Sequence, residues 1–326
     1  MSSEPIRLDV FDDFHLHGAS APEWKQRYAQ LSAGTMRSRL TEATSGRVHV
    51  FRKWMSERVV QQGHLPPGQI CFALLSGRAT GASRMQGQEL REDQLFLVRG
   101  GEEFTIQRAK GMELLAFTCR AEDFRRLLDE APWPQQARAL LSRPAVGVPA
   151  EALQQMRRQV LGILGRRLPR HSTSSAFGRD LAMLTELFES LRAVFACAGG
   201  VRETFASASA GFIVAECHRI VAASGDSPPD IEVLCQRLRA SRRSLQNSFR
   251  QIADTTPVHY LRGLRLNLVR TRLMSTSPAQ LSVSQAAADQ GFGHLSHFTE
   301  RYKALFGELP SQTSRSDPSQ VESRRP

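Results

Sequence analysis

The apolar positions of the chain change period along its length. Over residues 34–119 short apolar stretches alternate with turn residues, among them Ser45-Gly46, Pro66-Pro67-Gly68, Gly77, Gly81, Gly87, Gly100-Gly101 and Gly111. That spacing predicts strands over 35–42, 48–53, 69–75, 94–98, 103–107 and 112–118, closed into a small cupin-like β-barrel. Beyond them the period becomes helical, over 122–128, 150–168 and 178–198, with Pro132 and Pro134 interrupting the first part. In the last of these segments Leu181, Leu184, Phe188, Leu191 and Phe195 form a stripe that must be buried, against the 150–168 helix or against another subunit. The polar run 170–175 and the small residues 206–211 could each hinge, and the polar tail 316–326 is expected to be disordered.

One helical pattern then occurs twice. At about 100° per residue, Leu245, Phe249 and Ile252 fall on one stripe of a helix over 241–253, and Arg243, Gln246, Asn247 and Arg250 fall opposite. Moving on 53 residues, Phe298, Tyr302 and Leu305 repeat the stripe, while Ser296, Thr299, Glu300 and Lys303 take the outward face. The preceding segments match one residue out of step, with Ile231, Leu234 and Cys235 answering to Val283, Ala286 and Ala287. Each copy is a short helix, a tight turn and a second helix, with Ser241 placed to cap the first recognition helix. Between the copies Pro257 starts a helix of roughly 18 residues, about 27 Å. A rod of that length can space two recognition helices about one DNA turn, ~34 Å, apart.

The segment 212–315 resembles the DNA-binding domain of the AraC/XylS transcription regulators. The motifs that carry the resemblance are Ala240-Ser241 to Phe249-Arg250, Thr256-Pro257 with Tyr260-Leu261 and Arg265-Leu266, Ala286-Ala287 with Gly291-Phe292, then Phe298, Tyr302-Lys303, Phe306-Gly307 and Pro310. Glu300 stands where that family usually has a basic residue, Tyr302 where it has Phe, and Leu309 where Thr precedes the proline. In the first half, Gly34-Thr35-Met36-Arg37, Val50-Phe51-Arg52 and residues 100–104 are similar to the sensor half of the family's ethanolamine-operon regulator branch.

Composition sharpens this picture at a few points. The 326 residues, 41% of them apolar, suit two ordinary domains. The net charge of +11 is nearly all arginine, since lysine occurs only at 25, 53, 110 and 303. Its placement matters more than its sum: Arg242, Arg243 and Arg250 lie on the first recognition helix with no acid beside them. The acidic N-terminus, with Glu4, Asp9, Asp12 and Asp13, is unlike a signal peptide, no run reaches membrane-spanning length, and a cytoplasmic protein is expected. The cysteines at 71, 119, 197, 217 and 235 sit in apolar patterns without a CxxC pair, so core thiols are expected.

No nucleophile elbow, zinc-protease motif or phosphate loop occurs, and His49, His64 and the His15-Leu16-His17 pair do not gather with carboxylates as a metal cage would. No enzyme activity, cofactor or metal is therefore expected. Trp24, Trp54 and Trp133 could line a pocket or belong to the core or surface. Arg243 has the geometry to grip guanine O6/N7, and Gln246 or Asn247 adenine N6/N7. Arg242, Arg250 and Lys303 have the reach and charge for phosphates, and Ser296 and Thr299 can donate to phosphate or base. Glu300 would accept from cytosine N4 or be repelled by the backbone.

The fold expected is α+β: a cupin-like barrel for sensing or dimerisation over 1–145, a helical connector over 146–205, an all-α domain with two helix-turn-helix motifs on a linker helix over 206–315, and a tail over 316–326. The function expected is a sequence-specific transcription regulator, an activator modulated through its N-terminal domain. Its partners would be double-stranded DNA and RNA polymerase, with a small-molecule effector and a homodimer left open and no membrane partner. Two alternatives stand beside it, an N-terminal domain that only dimerises or contacts proteins, and an enzyme barrel fused to a DNA anchor. Convergent His and carboxylates would favour the enzyme, a solid apolar interior the protein contacts, and an open pocket of mixed lining the sensor.

Overall fold

In the computed structural model the structure describes residues 6–11, 18, 22–44, 46–77, 79–130, 144–165, 176–197 and 208–315. The expectations for His15, His17, Trp133, the segment 170–175 and the tail 316–326 lie outside these residues. Twelve strands are described: β1 Ile6–Phe11, β2 Arg27–Gln30, β3 Ser38–Thr44, β4 Val48–Met55, β5 Val59–His64, β6 Gln69–Leu75, β7 Ser83–Met85, β8 Gln88–Leu90, β9 Gln94–Arg99, β10 Glu103–Arg108, β11 Glu113–Arg120 and β12 Ala145–Gly147. They form a seven-stranded antiparallel sheet in the order β1-β3-β4-β11-β6-β9-β12 and a five-stranded one in the order β2-β5-β10-β7-β8. Neither sheet closes on itself. The closed barrel expected from turn spacing is therefore replaced by two open sheets, a distinction set by long-range pairing that turn spacing does not encode.

The central strands β6, β9 and β11 of the seven-stranded sheet are buried on both faces. Toward the five-stranded sheet it turns Leu40, Phe51, Ala73, Phe96, Leu114 and Ala116, which meet Met85, Leu90, Phe104 and Ile106. Away from it, Val50, Phe72, Leu74, Leu115 and Phe117 pack under three helices, α1 (Ala121–Glu130), α2 (Ala150–Gly165) and α3 (Ala176–Cys197). Phe72, Leu74 and Phe117 lie on the helical side and Phe96 between the sheets, since in a strand neighbours in sequence point to opposite faces. Burial on both faces also explains why β6 reads as an apolar run from Ile70 to Leu75 and β11 as one from Leu114 to Phe117.

Phe72 and Phe117 stack at 5.2 Å, and Phe124 of α1 stands edge-on to Phe72 at 4.9 Å. Leu184, Leu187, Leu191, Val194 and Phe195 of α3 share this core with Leu153, Met156, Val160 and Ile163 of α2. From Leu184 to Phe195 the apolar stripe of α3 is therefore covered within the chain. Trp24 is buried between the sheets, edge-on to Phe51 and Phe104, and Trp54 lies half-buried under the Arg39 guanidinium. Of the thiols expected in the core, Cys71, Cys119 and Cys217 are buried and Cys235 is half-buried, but Cys197, the last residue of α3, is exposed.

Two cations lie between the sheets, Lys53 of β4 and the fully buried Arg108 of β10. Lys53 Nζ donates to the Tyr28 hydroxyl at 2.9 Å and to Gln26 Oε1 at 3.3 Å, while Arg108 donates to Gln61 Oε1 at 3.3 Å and to the Lys53 carbonyl at 3.2 Å. Burial first, and Arg108 next, bring the Lys53 amine down to about 7.

Candidate nucleic-acid interface

Six helices follow: α4 (Ala208–Ala222), α5 (Ile231–Leu238), α6 (Arg242–Ala253), α7 (Pro257–Ser275), α8 (Val283–Asp289) and α9 (Leu295–Phe306). Helices α6 and α9 have 12 residues each, and their starts are separated by the 53 residues of the sequence repeat. Local chemistry sets the starts. Asp230 accepts from Val233 N at 2.8 Å, Ser241 from Ser244 N at 3.0 Å, Thr256 from His259 N at 3.3 Å and Ser282 from Gln285 N at 3.1 Å. Each cap satisfies a backbone N–H that the helix cannot, worth about 1 kcal/mol. Helix α5 ends with Arg239 in the left-handed region at φ 49°, which turns the chain into α6 within three residues.

Helix α7 is apolar on two sides because it has two partners. Tyr260, Leu261 and Leu264 enter the core of the first motif with Leu234, Leu245, Phe249 and Ile252. Leu266, Val269 and Leu273 enter that of the second, with Ala286, Ala287, Phe298, Tyr302 and Phe306. His218 of α4 lies 2.9 Å from the Tyr260 hydroxyl, and burial lowers its pKa to about 4, which leaves the ring neutral at physiological pH.

The outward faces are where the wheel puts them. Arg242, Arg243, Gln246, Asn247 and Arg250 on α6 are exposed, as are Ser296, Glu300 and Lys303 on α9. Their circumstances differ. Arg242 is paired with Glu232 of α5. Thr299 is half-buried and its hydroxyl donates to Leu295 O at 2.8 Å, while Glu300 stands 3.8 Å from His297 Nδ1. Sequence reasoning missed a second cluster. Arg262 and Arg265 of α7, with His294, His297 and Arg301 at the second motif, wall a groove of about 400 Å³ between the two motifs. The four-residue step from His297 to Arg301 was the available signal, since it sets both on one flank of α9.

The β-sheets grip this domain at the C-terminal ends of α6 and α9. Arg84 donates to Ile252 O at 2.9 Å and Arg58 donates to Ala253 O. Gln30 Nε2 donates to Leu305 O at 2.7 Å, and Gly34 N donates to the same carbonyl at 3.1 Å. Asn267 pairs with both backbone groups of Gln30, accepting from its N–H at 2.8 Å and donating to its carbonyl at 2.9 Å. Gly87, in the turn between β7 and β8, and Gly211 of α4 touch backbone to backbone: a Cβ on Gly211 would fall 2.7 Å from Gly87 Cα. Donors at a helix C-terminus satisfy orphan carbonyls and oppose the negative end of the dipole. Different parts of the β-half therefore hold the two outward-facing helices: Arg58 and, on β7, Arg84 hold the end of α6, while Gln30 of β2 and Gly34 hold the end of α9.

A family profile described as "Helix-turn-helix domain" matches residues 234–316. The XylDLEGF operon transcriptional activator of Pseudomonas putida is 42% identical over 85 residues, which are 26% of this chain and 26% of that protein. The HTH-type transcriptional regulator CdhR of Pseudomonas aeruginosa is 39% identical over 79 residues, 24% of this chain and 23% of that protein. The aligned part of the chain thus spans about a quarter of the length of these curated relatives. Among solved structures, that of the AraC-like transcriptional activator CuxR aligns with 80% of this chain and 94% of that one, at 13% identity and a TM-score of 0.43. Residues 234–316 are thus similar in sequence to the helix-turn-helix domain of AraC/XylS-type transcription regulators.

Proposed function

We propose that the protein is a sequence-specific, DNA-binding transcription regulator, an activator whose β-sheet half modulates the helical domain over 206–315. The observation that carries this is the pair of 12-residue helices with exposed polar faces on a shared linker helix. A 19-residue helix is about 28 Å long, which suits helices entering successive major grooves. The activator role rests on the P. putida relative, and RNA polymerase is then the partner that an activator must reach. Modulation is supported by the shared grip of β2 and its neighbours on α6, α7 and α9. A cavity of about 520 Å³ between β2, α4 and α7, lined by Lys25, Arg27, Gln62, His218, Asn267 and Leu268 among others, offers room for a small effector at that seam. Its mixed lining favours sensing over an N-terminal half that only dimerises.

Capture of genomic DNA fragments by the purified full chain, followed by sequencing, tests the reading; recovery without enrichment of any sequence would sink it. Within α6 the roles divide by reach. Gln246→Ala is expected to cost about 1–3 kcal/mol and to relax preference at one or two base pairs, whereas Arg250→Ala should weaken all sequences alike and flatten the salt dependence by about one unit. Binding measured against an operator and its single-base variants separates them, and uniform loss for Gln246→Ala would withdraw its base contact. Glu300→Gln should tighten non-specific binding, because an acid facing phosphate repels it; weaker binding instead would point to cytosine N4 as its partner.

A further inference from the structure

The groove between the two motifs holds charge that the wheel of either recognition helix leaves out. Arg262 and Arg265 line it from α7, and Arg301 with His294 and His297 from the second motif; the acid in its wall, Asp230, caps α5 and faces Arg265 as its counter-charge. Arg265 donates to Pro229 O at 2.9 Å. Among the described residues Arg262 and Arg301 have no hydrogen-bonded or ion-paired partner. Burial first, then Arg301 and Arg265, hold the Arg262 guanidinium below its ordinary pKa, the mark of cations crowded without a counter-charge.

Helix α9 turns Phe298, Tyr302 and Leu305 inward, so Glu300 points outward and Arg301, about 100° further round, lies on the flank beside α7. A helix is about 10–12 Å across and the major groove about 12 Å wide, so a helix that enters it turns its outer face to the bases and its flanks to the phosphates. The flank of α9 toward α7 carries Arg301 and His297, and Arg262 stands across the groove. An anion seated there would relieve the repulsion among the guanidiniums, and a DNA backbone passing between two successive major grooves brings phosphates to that place.

We propose that this groove seats phosphates of the DNA strand lying between the two recognition helices, with Arg262 and Arg301 as the anchoring cations. The second motif then holds DNA by its flank, where Arg262 and Arg301 offset the repulsion that Glu300 meets from the phosphates. The inference rests on the DNA-binding reading and adds to it two anchors outside both recognition faces.

The test is the salt dependence of binding by the full chain, measured by fluorescence anisotropy with a labelled duplex of mixed sequence. Removing one cation that neutralises a phosphate should flatten the slope of log affinity against log salt by about 0.9, so between roughly 50 and 200 mM salt each variant should lose affinity about 3- to 4-fold less than the wild type does. Arg262→Gln and Arg301→Gln should each show this, the double variant should show it twice over, and Arg301→Lys should restore the wild-type slope. Arg125→Gln, on α1, should leave the slope unchanged. Wild-type slopes for Arg262→Gln and Arg301→Gln, with a flattened one for Arg250→Gln, would overturn the groove while keeping DNA binding. An equal change in Arg125→Gln would also overturn it, by showing that net charge alone is read. Absence of salt-dependent binding by the wild type would remove the DNA-binding reading itself.

Discussion

Lys53→Met is expected to stabilise the β-sheet half at neutral pH and to abolish a rise of stability with pH that the wild-type chain shows above about pH 7. The amine lies between the sheets, 5% exposed, with Arg108 as its near charge and Tyr28, Gln26 and the more distant Glu42 and Cys71 around it. In the unfolded chain it titrates near 10.5, and in the folded chain at about 7. Between those values the unfolded state holds a proton that the folded state lacks, so stability increases with pH through the window. Below it both states are charged and the full cost of burying the cation is carried. The interval between the two pKa values corresponds to about 4–5 kcal/mol across the window. Methionine fills a similar volume without charge, and such replacements of buried ions gain about 1–4 kcal/mol once the missing hydrogen bonds are counted. Trp24 and Trp54 both lie in this half, so tryptophan fluorescence during urea unfolding, followed from about pH 6 to pH 10, reads it. A wild-type stability that is level through that range, or a Lys53→Met variant less stable at pH 7, would show that the amine reaches water.

The helical half was legible in the sequence because its signals are local. Ser241, Thr256 with Pro257, and the stripes of Leu245-Phe249-Ile252 and Phe298-Tyr302-Leu305 each settle structure within four residues, and the helices and caps appear at those positions. In the β-half, β3, β4 and β10 were legible as apolar alternation between turn residues. Strands β6, β9 and β11 were found as apolar runs, whereas β2, β5, β7 and β8 are short or rich in Arg, Gln and Ser and were missed. Their polarity has a cause that local pattern cannot show: β2 and β5 face the helical domain, where Gln30 is spent on Asn267 and Leu305. Sheet closure and strand order depend on pairing over tens of residues, which is why two open sheets stood where a barrel was expected. Among the site residues, the wheel located the faces of α6 and α9 but not the Arg242–Glu232 pair or the Arg262–Arg301 groove, since both are made across helices.

Asn267→Leu is expected to uncouple the two halves of the chain and to change DNA binding only when both are present. Asn267 is 4% exposed, and its amide meets the N–H and the carbonyl of Gln30 in a two-bond pair like that of a neighbouring strand. Leucine has nearly the same volume but neither donor nor acceptor, so two buried backbone groups of β2 would lose their partners. Each costs about 1–3 kcal/mol, or about 2–5 kcal/mol together, on a strand that also holds Leu305 O through the Gln30 side chain. Because β2 fixes the end of α9 while Arg58 and Arg84 fix the end of α6, slackening it frees the two recognition helices to move relative to each other. The fragment 206–315 has no Gln30, so the same substitution should leave its DNA affinity within about 0.5 kcal/mol of the unsubstituted fragment. In the full chain it should move the affinity toward that of the fragment, in whichever direction the two differ. Anisotropy titrations of all four proteins on one operator read the cycle. If the full chain and the fragment bind alike before substitution, the β-sheet half exerts no control on DNA binding; if Asn267→Leu shifts both equally, its role is confined to packing within α7.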